Sequence, residues 1–377
     1  MGGGAGAATR RASILPAVIA VLISLGLSAP AGAAESTTRE RAEAIYERGE
    51  LDREIPTGWT GSVAGCKVGT ESRDSIEATF RTINAIRELA GIPLVEENAE
   101  MNRKALAAAL VFQAAGDISH EIDRTWKCWS RDAEDGAAHS NLSGAGETGS
   151  QFIWSYINEG PDFGHRLNVM NPGLFEMGTG SSRSWNANYT IGGERGGERY
   201  DLMNPDSTVA WPAAGWFPGG WVPQHWSVAL GNVDTQESFD VSSADVSVTV
   251  DGSPVDVTIG TDDRSMSANV YGIGQPFSWQ VDLPRDFASE DHEIAVEIAD
   301  LTSAGEPFPV AYTVKTFATE EIEPPDPEPS AECLAAESRL KAAKQKLAQA
   351  KRSGRRAKIR RARKGVARAN AAVAAAC

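Results

Sequence analysis

Apolar residues recur at helical spacing in two blocks between Asp74 and Ala115. In DSIEATFRTINAIRELAG, the residues Ile76, Phe80, Ile83 and Ile86 fall on one stripe, and Gly91 followed by Pro93 stops it. In NAEMNRKALAAALVFQAAG, Asn98 is placed to cap a second helix whose stripe runs Met101, Ala105, Ala108, Phe112. The later stretch NANYTIGG reads as strand. From about Glu237 to Phe317 the period changes to two. Val246, Val248 and Val250 alternate up to Asp251-Gly252, and Val255, Val257 and Ile259 resume the pattern after it. Asp-Gly between alternating runs predicts a hairpin. HEIAVEIADL and VAYTVKTF repeat the alternation, so this region predicts a small antiparallel sandwich of immunoglobulin-like size. No chemistry is visible in it, and His292 is expected in an exposed loop.

A third periodicity occupies residues 331–377. With Cys333 at position a of a heptad, positions a and d are Cys333, Ala336, Leu340, Ala343, Leu347 and Ala350. After Ser353-Gly354 a second register gives Ile359, Ala362, Val366, Ala369, Val373 and Ala376. Two such arms with a break between them predict an α-helical hairpin packed as an antiparallel coiled coil. Folding the arms back at Gly354 brings Cys333 towards Cys377. A disulfide closing so long a loop contributes about 4 kcal/mol in the chain-entropy model, which matters for a seam rich in alanine.

The N-terminus carries Arg10 and Arg11, then an apolar run of fourteen residues from Ile14 to Leu27, then APAGAAES. This is the layout of a secretory signal peptide over residues 1–33, and the run is shorter than the roughly twenty residues a spanning helix needs. Secretion to the extracellular side is therefore the expected localisation, and pairing is the expected state of the four cysteines, Cys66, Cys128, Cys333 and Cys377. Charge divides the chain unevenly. Residues 331–377 hold 14 Lys/Arg and 2 Asp/Glu, a net of +12 against −15 for the whole, which leaves −27 on residues 1–330. The acidic body would repel phosphates, so nucleic acid is an unsuitable partner for it. The basic hairpin suits an anionic partner such as cell-wall polymer, lipid headgroups or nucleic acid, or docks onto the acidic body, or serves as a solvated spacer. Between the two, ATEEIEPPDPEPS reads as an extended acidic, proline-rich linker.

Five motifs now fall into order: INAIRELAGIPLVEENAEM, Ser119-His120, AAHSNLSGAG, GHRLNVMNPGLFEMGTG and VAWPAAGWFPGGWVPQHWS. Together they resemble bacterial CAP-domain (SCP-like) extracellular proteins, relatives of the cysteine-rich secretory, venom-antigen and plant pathogenesis-related proteins. The resemblance covers roughly Gly58 to Ser227. It implies an α-β-α sandwich with an open cleft, giving an α+β chain. The expected units are residues 34–57 as a charged segment, 58–235 as the CAP domain, 236–318 as the β module, 319–330 as linker and 331–377 as the hairpin. The resemblance also favours a Cys66–Cys128 disulfide clamping an N-terminal strap over the loop that bears His120.

In many members of that family the cleft holds two histidines and two glutamates able to bind a divalent metal such as zinc. By position, His120 and His165 match the histidines, with Arg166 beside the second. The acids do not match. Ser140-Asn141-Leu142 stands where the full set reads Glu-Asn-Leu, and Trp154 is followed by Ser155, Tyr156 and Ile157 where a glutamate is expected. His139 is a candidate third ligand and Glu147 a distant one. Catalytic metal sites usually offer three protein ligands, and a carboxylate is the usual base for metal-bound water. Without those acids, His120 and His165 are expected to hydrogen-bond across the cleft, and Arg166 to pair with a helix carboxylate. Ser140 with His165 lacks the orienting acid a nucleophile needs. The reading is therefore a non-catalytic binding or scaffold unit. The alternative is a metal-assisted hydrolase of envelope peptide, glycan or lipid, which a carboxylate within about 3 Å of either histidine would favour. Of the tryptophans in WPAAGWFPGGWVPQHW, Trp211 and Trp226 are expected to plug the joint between head and β module. Trp216 and Trp221 are candidates for stacking on a ligand, with Trp221 exposed.

Overall fold

A computed structural model describes residues 37–144, 146–160, 163–193, 208–231, 239–260, 275–319, 331–352 and 356–376. The expected signal peptide, the expected acidic linker beyond Thr319 and Cys377, hence the expected Cys333–Cys377 pairing, lie outside the described residues. No described helix is long and apolar enough to cross a membrane.

The head is built from α1 (Arg39–Arg53), α2 (Arg73–Leu89), β1 (Glu96–Glu97), α3 (Ala99–Ala115), α4 (Arg131–Ala138), β2 (Ser140–Ser143), α5 (Gly149–Ile157), α6 (Gly164–Val169), β3 (Glu176–Ser181) and β4 (Asn186–Tyr189). Ser72 caps α2 by accepting the Ser75 N–H, and Asn98 caps α3 by accepting those of Glu100 and Met101. The strands form one sheet in the order β1-β3-β4-β2. Its outer face carries Leu142, Ala187 and Tyr189, which pack on Ala105, Ala108 and Phe112 of α3 and on Ala133 and Ala137 of α4. A Cβ on Gly178 would lie 2.3 Å from the Met101 Cβ, and one on Gly180 would lie 2.1 Å from the Leu106 nitrogen. Bare backbone at these two positions is what lets α3 lie flush on β3. Cys66 and Cys128 are joined, tying the strap before α2 to the loop before α4.

The second part contains β5 (Thr208–Trp211), β6 (Gly215–Pro218), β7 (His225–Leu230), β8 (Phe239–Asp240), β9 (Asp245–Val250), β10 (Ser253–Val255), β11 (Val257–Thr258), β12 (Gln275–Val281), β13 (His292–Ala299), β14 (Thr302–Ser303), β15 (Glu306–Pro307) and β16 (Val310–Phe317). They make sheets in the orders β10-β9-β13-β16-β6, β11-β12-β7-β5 and β15-β14-β8. β9 and β10 are joined through Asp251 and Gly252, both at positive φ, as a tight hairpin requires. Two expectations change here. β5, β6 and β7, placed by sequence in the head, hydrogen-bond into the sheets of the β module. The module is also not wholly antiparallel, since β16 pairs with β6 in parallel. These are long-range pairings, which local alternation does not encode.

One hydrophobic core runs through both parts, from Ala42, Ile83, Ile153 and Leu167 of the helices to Trp226, Trp279, Val296 and Val314 of the strands. α1 wedges into the joint. Trp221 is 4% exposed, not open to solvent: its Nε1 donates to Glu50 at 2.7 Å, and its ring packs on Trp154 and Tyr46. A Cβ on Gly49 would lie 2.6 Å from that ring. The Arg39 guanidinium lies over Trp216 at 4.9 Å while pairing with Asp291. Trp221 is thus spent on the joint, while Trp216 is half-buried beneath Arg39. His292 is likewise no loop residue. It opens β13, its Nδ1 sits 2.8 Å from Asp251, and its ring stacks on Phe287. Beyond these units come α7 (Ala331–Arg352) and α8 (Arg356–Ala376), which pack on each other.

Candidate functional site

Strand alternation gives the head sheet an inner face that is polar. Asn141, Asn188 and Thr179 are cross-strand neighbours in one row, and Ser143, Asn186 and Ser181 in the next. All six are buried, and a buried polar row persists only if its members satisfy one another. Most do. Asn186 Nδ2 donates to Thr179 and Ser181, the Ser143 and Ser155 hydroxyls meet at 2.9 Å, and Ser155 also donates to the Phe152 carbonyl. The Tyr156 hydroxyl shares its one proton between the Asn141 carbonyl at 3.1 Å and Asn186 Oδ1 at 2.9 Å, and burial pushes this phenol well above its ordinary range. Asn141 accepts from Asn168 at 2.8 Å and donates to the His165 carbonyl at 3.0 Å. Among the described residues, Asn188 Oδ1 is left without a partner.

His165 stands at the lip of this face, on the first turn of α6. Its Nδ1 is 2.8 Å from Glu159 Oε2, and its ring lies 5.3 Å from that of Tyr156. Glu159 also accepts the Arg166 backbone N–H at 2.8 Å. The sequence reading missed this carboxylate. It sits on the turn after α5, six residues before His165, and only that proximity along the chain signals it. The expectation of a cleft without acids is therefore corrected at His165.

Arg166 is wholly buried. Nε donates to the Ile157 carbonyl, Nη2 to the Glu159 carbonyl and Nη1 to the Ser227 hydroxyl of β7 at 2.9 Å. Contrary to expectation, its guanidinium bonds to carbonyls and a hydroxyl, not to a helix carboxylate. Burial lowers its pKa to about 10, partly opposed by the charge of Glu159. It acts as a rivet between head and β module.

His120 and His139 gather elsewhere, at the C-terminal end of α4. His120 Nδ1 donates to the Ala137 carbonyl at 2.9 Å and His139 Nδ1 to that of Asp135 at 2.8 Å. The His139 ring stacks on Tyr189 at 5.4 Å. Each histidine thus bonds within its own neighbourhood, and the expected hydrogen bond across the cleft is replaced by local ones. Ser140 is buried on the α3/α4 side with its hydroxyl unpartnered among the described residues. Glu147 is exposed. Among the described residues no three of His, Cys, Asp and Glu converge as metal ligands. Ser140 at the position of one expected acid, and Ser155, Tyr156 and Ile157 in the segment of the other, supply no carboxylate and do not fit the divalent metal that the family pattern implies. A cavity of about 610 Å³ opens away from all these histidines, between α1 and α2, beside Arg41, Arg48, Asp52, Arg81 and Glu88.

Residues 80–193 match the family model described as CAP, the cysteine-rich secretory protein family. The matched segment runs from within α2 to just beyond β4 and contains the polar face, His120, His139, His165 and Glu159. A solved structure of an extracellular protein containing a SCP domain from Bacillus anthracis str. Ames is similar at 17% identity and a TM-score of 0.26. The likeness covers 31% of this chain and 40% of that one, so this chain spans less than half of that protein's length. No curated protein matches the chain. With the motif order, the sheet and the matched segment in agreement, residues 80–193 carry a CAP-family domain.

Proposed function

We propose that this is an exported, non-catalytic binding or scaffold protein of the cell envelope, with its C-terminal helical hairpin as a tether to anionic material. One observation carries the non-catalytic part. Ser155, in the segment where the family pattern expects an acid, spends its hydroxyl on Ser143 and the Phe152 carbonyl, inside a face whose polar groups bond mainly to each other. The continuous core and the buried Arg166 rivet support the scaffold part, because both lock head and β module into one unit. The signal-like N-terminus and the secretory character of the family support export. The alanine-rich seam and net charge of +12 over residues 331–377 support the tether.

A second reading, a hydrolase of envelope peptide, glycan or lipid, draws on one specific observation: Glu159 at 2.8 Å from His165 could orient the imidazole as a base. The two readings separate on turnover. Envelope material incubated with the full chain, with His165→Ala and with Glu159→Gln should release the same soluble products at the same rate in all three cases. Release by the wild type that both variants abolish would establish the second reading. The tether is tested by retention on envelope material. Removal of residues 331–377 should abolish retention, and added salt should weaken it; unchanged retention would make the hairpin a spacer.

A further inference from the structure

The strongest unexplained feature of the hairpin is Gly365. It sits inside α8, in a chain that uses alanine almost everywhere it needs a small helical residue. A glycine there destabilises the helix by about 1 kcal/mol relative to alanine. Packing does not account for it, because a Cβ at Gly365 would meet nothing within 4 Å. The position is exposed, and so are Lys358, Arg361, Lys364 and Arg368, which share its side of the helix. α7 repeats the plan, with Lys341, Lys344 and Lys351 exposed around the equally exposed Ala348. In the α8 row the steps of three or four residues place successive cations about 4.5–6 Å apart along the axis; in α7 the step from Lys344 across Ala348 to Lys351 is about 10.5 Å. Among the residues whose burial is described, Ala336 is buried and Leu340, Ala343, Leu347, Ala362, Val366, Ala369 and Ala372 are half-buried, so the large apolar side chains among them lie in the seam.

We propose that the α8 row, with Gly365 as its floor, is a binding surface for a linear phosphodiester polymer. This rests on the tether reading and names its partner. A rod-like polyanion needs regularly spaced cations and an unobstructed track between them, and a missing side chain lets its backbone come closest to the helix. A lipid surface fits less well. Helices that lie in a bilayer interface present large apolar residues outwards, and the exposed positions among the described residues here carry Lys, Arg, Gln, Ser, Ala and Gly. The acidic body of the chain, residues 1–330 at −27, is the competing anion.

The test uses the full chain with soluble poly(glycerol phosphate) as probe and phosphatidylglycerol vesicles as the competing surface. Wild-type affinity should fall linearly with log salt. Replacing Lys358, Arg361, Lys364 and Arg368 together by Gln should reduce that slope by about three, at roughly 0.7 per phosphate neutralised on a single strand. Gly365→Leu should weaken polymer binding about tenfold while helix content, read by circular dichroism, holds or rises. Vesicles should bind more weakly than polymer at equal phosphate. Wild-type affinity in Gly365→Leu would overturn the proposal, as would vesicles matching the polymer, or polymer binding that appears only once the acidic body is removed. If removing residues 331–377 still abolishes retention on envelope material while Gly365→Leu binds polymer normally, the tether reading stands and this surface does not.

Discussion

The most consequential single residue outside the histidine sites is Glu71. Its carboxylate is buried between α2 and β3, where it accepts the Ser75 hydroxyl and the Ser181 N–H, both at 2.7 Å. Neither partner is charged, and burial raises its pKa to about 7 against these hydrogen bonds, which lower it. A folded-state pKa above the unfolded value means the protonated form is favoured in the fold. This contribution is complete below about pH 4.5 and is lost as pH rises towards about 7. Glu71→Gln should therefore gain stability over wild type at pH 8, on the order of 2–3 kcal/mol, and almost none at pH 4. Denaturant melts at the two pH values check it; equal differences at both would refute the assignment. Arg166 shows the opposite use of burial. It stays charged and spends its donors on backbone carbonyls and Ser227, which makes it a structural cation and not a cleft residue.

At the scale of elements, α3 and β3 set the geometry of the head, and their contact depends on Gly178 and Gly180. Gly180→Ala places a methyl 2.1 Å from the backbone of Leu106 and must push α3 off the sheet. A loss of about 1–3 kcal/mol in denaturant melts is expected; a neutral outcome would mean that the helix is free to shift. α2 and α3 were legible in the sequence because their caps and stripes are local, and so was the Asp251-Gly252 hairpin. α1 was not legible as a helix that matters. Its buried residues, Ala42, Ile45, Gly49 and Asp52, are too few and too small to make a stripe, and its docking depends on aromatic partners far along the chain. The cross-module pairing of β5, β6 and β7 escaped for the same reason. At the site, His120, His139 and His165 were identifiable by motif, but their partners were not. Backbone carbonyls carry no sequence signature, and Glu159 is brought to His165 by the turn between α5 and α6.

At the scale of the molecule, head and β module behave as one body because α1 and Trp221 fill the joint between them. Trp221→Ala removes a buried ring that touches Tyr46, Trp154 and Gly49 and frees Glu50 of its donor. It should cost about 3–5 kcal/mol, and both parts should still melt together. Two separate transitions in the wild type would refute the single body. Charge divides the chain into residues 1–330 at −27 and residues 331–377 at +12. The central claim is that the histidine cleft of this CAP domain has become architecture. Titration of zinc into the full chain near neutral pH, followed by calorimetry, tests it most directly. The account predicts superimposable isotherms for wild type and His165→Ala, with no stoichiometric tight uptake. Tight one-to-one binding in the wild type that His165→Ala abolishes would contradict it.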